Sequence, residues 1–369
     1  MIPVAPLEMN WPDIKGLDQV ESPGLLVDPA RVTENIARMV ELVGGDASRL
    51  QPHVKTHKMP DVIRLQKKAG IKKFKAATLS ELEMVAEAGA SEVLLAYQPV
   101  GPNVDRFGRA INKFPNCKIS AVVDDPSVVN RIDAELGDLV RPVRLFVDVD
   151  CGMARTGIAL GKRLNALRDQ IERMPGVEFA GLQVYDGHIK SSSLAERRQK
   201  AEQIIEAVEQ YREKFSIPAV IAGGSPTFGI WAKSTDWTCS PGTTLFWDAG
   251  YARAYPELGF AIAAALITRV VSKPGEDKLC LDLGHKAVGA ENPLDRRVFF
   301  PELSGLTYVM QSEEHLVVRT DSADEYQPGD VLIGYPQHIC PTVALHAYAT
   351  VVENGAATKK KWQVTARNR

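Results

Sequence analysis

The sequence predicts an α/β protein, a (β/α)8 TIM-type barrel with a C-terminal all-β domain. Two observations predict the barrel. Short apolar runs alternate with helical patterns from about Leu26 to Gly250, and eight strand candidates fall in that stretch. Alternation of this kind implies parallel strands joined by right-handed crossovers, and eight such units close a barrel. A third observation predicts the second domain: after about Tyr251 short runs between turn residues continue while helical periodicity nearly vanishes. An open doubly wound sheet is the alternative, but no G-x-G-x-x-G follows the first strand, which weakens its dinucleotide-binding version.

The expected barrel strands are Leu50–His53, Lys73–Ala77, Glu92–Ala96, Lys118–Val123, Val143–Val149, Glu178–Val184, Ala219–Ala222 and Thr235–Cys239. Helices are expected at Arg31–Leu42, where Val32, Ile36, Met39 and Val40 have helical spacing, at Ser80–Ala88, opened by a Ser80/Glu83 capping box, and at Leu194–Phe215. The later strands are expected at Phe260–Val271, Lys278–Leu283, Leu306–Met310, His315–Arg319, Val331–Gly334 and Ala347–Val352. The barrel domain is thus assigned to 27–250. Residues 1–26, with their Ser22-Pro23-Gly24 turn, join 251–369 in the β-domain, and the polar tail from Ala357 is expected to fray.

Composition narrows the function. Of 369 residues 45% are hydrophobic and 24% charged, and the net charge of −2 offers no basic field for nucleic acid or anionic lipid. The five cysteines are scattered without a C-x-x-C pair, which fits a reducing compartment. Met1–Lys15 has no signal-peptide pattern and no apolar run is long enough to span a membrane, so a cytoplasmic protein acting on a small molecule is expected.

Chemistry in a barrel belongs at the C-terminal strand ends. The first strand runs into Gln51-Pro52-His53-Val54-Lys55-Thr56-His57-Lys58. A lysine crowded by other cations and partly desolvated can form an imine with a carbonyl, whereas a solvated basic loop would do nothing. The fifth strand ends in Asp148-Val149-Asp150-Cys151-Gly152-Met153-Ala154-Arg155-Thr156-Gly157, where glycines let the backbone approach a ligand beside Arg155. The sixth offers Tyr185 to stack on a flat ring and His188 to move protons. The seventh gives Gly223-Gly224-Ser225-Pro226-Thr227 and the eighth Ser240-Pro241-Gly242-Thr243-Thr244, two loops of N–H and O–H donors where barrels bind phosphate. Arg155, Tyr185 and both loops also read as ordinary turns and structural side chains. In the second domain His338 and Cys340 stand two apart, and in extended backbone they would point the same way, an imidazole and a thiolate suited to Zn2+. A buried cysteine near a surface histidine is the alternative.

Taken together, S-P-G-L-L-V-D, Q-P-H-V-K-T-H-K, D-V-D-C-G-M-A-R-T-G, A-G-G-S-P-T, S-P-G-T-T-L-F-W-D, S-E-E-H and H-I-C-P-T-V resemble, in order, the D-threonine aldolase and D-serine dehydratase family. These are fold-type III pyridoxal phosphate enzymes related to alanine racemase. The resemblance implies Lys55 as the Schiff-base lysine, Arg155 near the cofactor's phenolic oxygen and Tyr185 against its ring. It implies Gly224, Ser225, Thr227, Gly242 and Thr243 around the phosphate, and His338 and Cys340 on a divalent metal: Zn2+, or else Mn2+ or Mg2+. His188 and Lys55 would be catalytic. The chain departs from alanine racemase at Thr56-His57-Lys58 and at Ser240, where a racemase has arginine. The resemblance implies a homodimer and a lyase of D-3-hydroxy amino acids. Its aldolase form gives glycine and an aldehyde. A D-serine or D-3-hydroxyaspartate dehydratase, which the H-x-C pair favours, is the alternative, ahead of a racemase or a non-catalytic carrier.

Overall fold

The computed structural model describes residues 11, 13–139 and 141–369. Residues 1–10, part of the segment assigned to the β-domain, lie outside them. The described residues form two compact units: one from those within 1–36 together with Thr56–Val62 and Thr243–Arg367, the other from those within 37–55 and 63–242 together with Asn368–Arg369. No helix among the described residues is long and apolar enough to cross a membrane.

After β1 (Gly24–Val27), the strands of the second unit are β2 (Lys73–Ala76), β3 (Glu92–Leu95), β4 (Lys118–Val123), β5 (Val143–Val149), β6 (Val177–Tyr185), β7 (Val220–Gly223) and β8 (Thr238–Ser240). They pair in parallel and in sequence order, β2 through β8, as a seven-stranded sheet. The expected first strand, Leu50–His53, is an irregular stave rather than a strand. It bridges Leu50 to Cys239 on one side and His53 to Lys75 on the other, which nearly closes the barrel. This excludes the open doubly wound sheet, whose end strands stay apart. Leu94, Val122, Phe146, Ala180 and Ile221 pack together as a core cluster from five strands. Branched and aromatic side chains of this kind fill a barrel rather than leave a pore.

The last barrel strand starts three residues later than expected. Thr235 caps the preceding helix instead, its N–H and its hydroxyl both donating to the Trp231 carbonyl. The helix expected from Ser80 starts at Leu79 and is capped by Thr78, whose hydroxyl accepts from the Glu81 N–H while Glu81 accepts from the Ala77 N–H. Ser80 and Glu83 hold Arg106 instead. The helix Leu194–Phe215 carries a fully buried arginine. Arg197 donates to the carbonyls of Ser191 and Ser192 after β6 and to that of Pro226 after β7. One guanidinium thus fixes two of the loops at the barrel mouth.

The first unit is built on a nine-stranded mixed sheet. It contains β1 together with β9 (Ala264–Gly275), β10 (Lys278–Leu281), β11 (Val298–Phe299), β12 (Thr307–Gln311), β13 (Leu316–Arg319), β14 (Val331–Pro336), β15 (Tyr348–Glu353) and β16 (Ala356–Gln363). β1 lies between β9, antiparallel, and β15, parallel, so Gly24–Val27 belongs with the late strands. The C-terminal sheet domain is thus the one expected, and it also carries two short helices, Ala249–Ala254 and Ile339–Leu345. One expectation is corrected: the tail from Ala357 does not fray but is part of β16, paired with β15 and carrying Lys359, Lys360 and Lys361 on the sheet edge, where lysines discourage further strand pairing.

Replacing Arg197 with Met should take a charged donor away from three part-buried loop carbonyls. We expect a loss of about 2–4 kcal/mol in urea unfolding, since a hydrogen bond to a charged group contributes about 1.5–3 kcal/mol. A change below about 0.5 kcal/mol would contradict the role given to Arg197.

Candidate active site

The stave between β8 and β2 delivers Lys55. Gln51 and His53 donate their N–H groups to the carbonyls of Cys239 and Pro241, and Lys75 N–H donates to Pro52 while Val54 N–H donates to Lys75. The side chains reinforce this, Gln51 Nε2 donating to the Phe74 carbonyl and the Ser240 hydroxyl to that of Gln51. Lys55 follows directly, half-buried, with its N–H donating to His53 Nδ1 at 3.4 Å. The loop is not a solvated basic one: His53 and His57 are buried, and burial holds His57 neutral, at about 3.

Lys55 lines a cavity of about 250 Å3 together with His53, Lys75, Asp148, Arg155, Gln183 and Tyr185. The fifth-strand loop is shaped by Asp150, whose carboxylate accepts from the Gly152 and Ala154 N–H groups. Asp124 accepts from the Gly157 N–H at the end of the loop. This brings the exposed Arg155 guanidinium to 5.0 Å from the centre of the Tyr185 ring, a cation–π contact across the cavity. Asp148 accepts from the Thr156 hydroxyl, and burial raises its carboxyl above the usual range. His188 is exposed, with its ring beside Gly152, and is not among the cavity-lining residues.

The two glycine loops meet where the Gly242 N–H donates to Ser225 Oγ at 3.2 Å. Gly224 takes φ +121°, open to glycine and strained for other residues. A β-carbon there would come within 2.0 Å of Asp186 Oδ1. Thr227 is buried and turned into the protein: its hydroxyl accepts from Trp231 Nε1 at 2.9 Å. Thr243 opens the turn Thr243–Leu245, and its hydroxyl lies 3.6 Å from Cys340 Sγ. The structure thus brings Lys55, Arg155 and Tyr185 to one cavity and joins Ser225 to Gly242.

Two site residues escape the sequence reading. Lys75, on β2, is 2% exposed, and its ammonium donates to Gln183 Oε1 at 3.1 Å. Burial, with the charge of Lys55, pulls Lys75 down to about 7 against the pull of Asp148 and Asp186. Asp186 is 1% exposed, and neither carboxylate oxygen has a hydrogen bond of good geometry. Burial pushes it up to about 7, with Thr227 opposing. Sulfur–imidazole spacing was the only signal for the other group, and its geometry differs from the expectation. His338 is extended, but it is the N-cap of Ile339–Leu345, so Cys340 lies in the first helical turn. The two side chains still hydrogen-bond. His338 Nδ1 is 2.6 Å from Glu291 Oε1, and Cys340 Sγ is 3.1 Å from Thr56 Oγ1. Burial disfavours the His338 imidazolium, yet Cys340, Asp248 and Glu291 outweigh it and raise it to about 9. Among the described residues no three His, Cys, Asp or Glu side chains are grouped to hold a metal.

Residues 27–249 match the family model of the alanine racemase N-terminal domain. The chain belongs to that family. Residues 263–352 match a second model, "Putative serine dehydratase domain". A D-threonine aldolase of Arthrobacter sp is 29% identical over 362 residues, 95% of this chain and 94% of that one. A D-threo-3-hydroxyaspartate dehydratase of Delftia sp. (strain HT23) is 27% identical over 221 residues, 56% of each chain. The crystal structure of D-threonine aldolase from Filomicrobium marinum superposes with a TM-score of 0.87 at 24% identity, over 95% of this chain and 96% of that one. The relatives are lyases, aldolases and dehydratases alike, and the chain is an enzyme of this group. The family implies pyridoxal 5′-phosphate as its cofactor.

Asp186 supplies a pH test. Below its ordinary value of 3.8 the carboxyl is protonated in both folded and unfolded chains. Between 3.8 and about 7 the unfolded chain ionises first, so folding stability falls as pH rises through that window. Asp186→Asn cannot ionise. Its stability relative to the wild type should therefore grow by about 1–3 kcal/mol from pH 4 to pH 7.5, read by urea unfolding at each pH. A constant difference would contradict the buried, unpaired carboxyl.

Proposed function

We propose that the protein is a pyridoxal phosphate- and metal-dependent lyase of D-3-hydroxy amino acids, cleaving them to glycine and an aldehyde in the manner of D-threonine aldolases. The observation that carries this is the cavity itself: a half-buried Lys55 amine, an Arg155–Tyr185 pair and, on neighbouring strand ends, two joined glycine loops. The full-length likeness to an aldolase supports the choice of reaction.

The residues fit the cofactor. Gly224 has no β-carbon to fill the loop, and its N–H with the hydroxyls of Ser225 and Thr243 would be donors for its phosphate beside Gly242, whereas the inward-turned Thr227, expected among them, would brace the loop through its hydroxyl's bond to the Gly224 carbonyl. Lys55 would hold its aldehyde carbon, Arg155 its phenolic oxygen, and Tyr185 its ring. When bound, the group supplies an electron sink for the pair released at the substrate's α-carbon. His188, at the exposed edge of the sixth-strand loop, is proposed to carry protons. The donor set of His338 and Cys340 fits a divalent ion, Zn2+ first. Glu291 on Nδ1 leaves Nε2 for the ion, as carboxylates do behind metal-binding histidines. Such an ion would polarise a substrate hydroxyl. A cytoplasmic homodimer is the proposed setting, and the absence of disulfides among the five cysteines supports a reducing compartment.

A dehydratase giving a keto acid and ammonia is the second reading. It is favoured by Cys340 in the H-x-C pair and by the serine dehydratase model over 263–352. Incubating the protein with D-threonine, pyridoxal phosphate and Zn2+ or Mn2+ separates the two. Glycine and acetaldehyde are expected; 2-oxobutanoate and ammonia would establish the second reading instead. No turnover of D-threonine, D-serine or 3-hydroxy-D-aspartate despite bound cofactor would sink both.

His338→Ala and Cys340→Ala should each lower kcat by about 100-fold or more while the cofactor's visible absorbance band persists. Chelator treatment should do the same, with Zn2+ or Mn2+ restoring activity. Full activity in either variant would remove the metal from the reaction.

A further inference from the structure

Lys75 is a lysine where a packed barrel has every reason to place an apolar side chain. It is 2% exposed on β2, and long ammonium side chains are almost never so deeply buried unless paired with a charge. Its hydrogen-bonding partner is the neutral carbonyl of Gln183 at 3.1 Å. The amine reaches the cavity that Lys55 and Arg155 also line. It also faces the start of the glycine loop, where a β-carbon on Gly223 would lie 3.1 Å from Lys75 Nζ. The next residue, Gly224, meets Asp186 in the same way. The two adjacent glycines therefore give room to two buried ionisable groups of opposite sign. The charged and titratable groups around Lys75 are Lys55 and His53 from the first-stave loop, Tyr97 after β3, Asp148 and Arg155 from β5 and its loop, and Tyr185 and Asp186 from the end of β6.

Resting on the cofactor reading above, we infer that Lys75 is a positioning residue for the anionic cofactor: its ammonium, held by Gln183 at the cavity floor, supplies a switchable positive charge beneath the Gly223–Ser225 loop. A structural lysine would contribute equally at every pH. This one is drawn down to about 7 by burial and by the charge of Lys55, so its charge is present in acid and lost as pH rises. Attraction for an anion follows the same course.

The test uses the apoenzyme and 4′-deoxypyridoxine 5′-phosphate, which keeps the ring and the phosphate but has no aldehyde to react with Lys55. Affinity is measured by calorimetry from pH 5.5 to 9.5. The wild type should bind tightest below about pH 7 and weaken by about tenfold above it, as the ammonium loses its proton. In Lys75→Met the affinity below pH 7 should fall by about tenfold, and the wild type and variant should converge above about pH 9. Methionine matches the stem and removes a buried charge, a change that packed interiors tolerate. Gln183→Leu takes away the hydrogen bond that favours the charged amine, so its transition should move to lower pH. The phosphate's own titration near pH 6 is common to all variants and cancels in the comparison. Equal affinity of Lys75→Met and wild type at all pH values, or a loss that is constant with pH, overturns the inference and leaves the cofactor reading standing. So does a transition that survives in Lys75→Met and disappears in Asp186→Asn. No binding to the wild type at any pH overturns the cofactor reading, and this inference with it.

Discussion

The second unit depends on one narrow closure. Seven strands pair continuously, but the eighth position is held by residues 50–54, tied by backbone and side-chain hydrogen bonds to Cys239, Pro241 and Ser240 on one side and to Phe74 and Lys75 on the other. Irregular backbone here is an advantage. A regular strand would run on in register, whereas this stave ends at the mouth and turns Lys55 into the cavity while burying His53 and His57. The same closure carries the polar floor, because the backbone of Lys75 pairs with the stave while its side chain faces inward.

The cavity and the loop beside it are electrostatically costly. Lys75 and Asp186 are both buried and both pushed towards neutrality, one from above and one from below, to about 7. Groups so placed destabilise a fold, and perturbed values of this kind cluster at functional sites. Arg155 avoids the cost by staying exposed and lying over the Tyr185 ring. Arg197 meets the opposite need: fully buried away from the cavity, its guanidinium is satisfied by three loop carbonyls and ties their loops together.

Much of this was legible because barrel strands are covered on both faces and read as apolar runs, so seven of the eight expected runs are observed strands within a few residues. Lys75 was hidden by the same property. In Lys73-Phe74-Lys75-Ala76 the alternation looks like a strand with one wet face, yet inside a barrel that face is the cavity floor. The tail Ala356–Gln363 failed for the converse reason: an edge strand guarded by lysines has the composition of a frayed end. The Ser80/Glu83 cap failed because Thr78/Glu81, two residues earlier, is chemically equivalent, and local spacing cannot tell which pair the strand end presents. His338 and Cys340 were found from spacing, but the geometry behind them is a cap and a first helical turn rather than an extended run. Glu291, distant in sequence, had no local signal at all.

In the proposed function Lys55 is the residue that would bind the cofactor covalently. Reduction of the loaded enzyme with borohydride, followed by digestion and mass spectrometry of the peptides, tests it most directly. A phosphopyridoxyl group on Lys55 is the predicted result. The same label on Lys75, the other lysine of the cavity, or on no residue at all, would contradict the account.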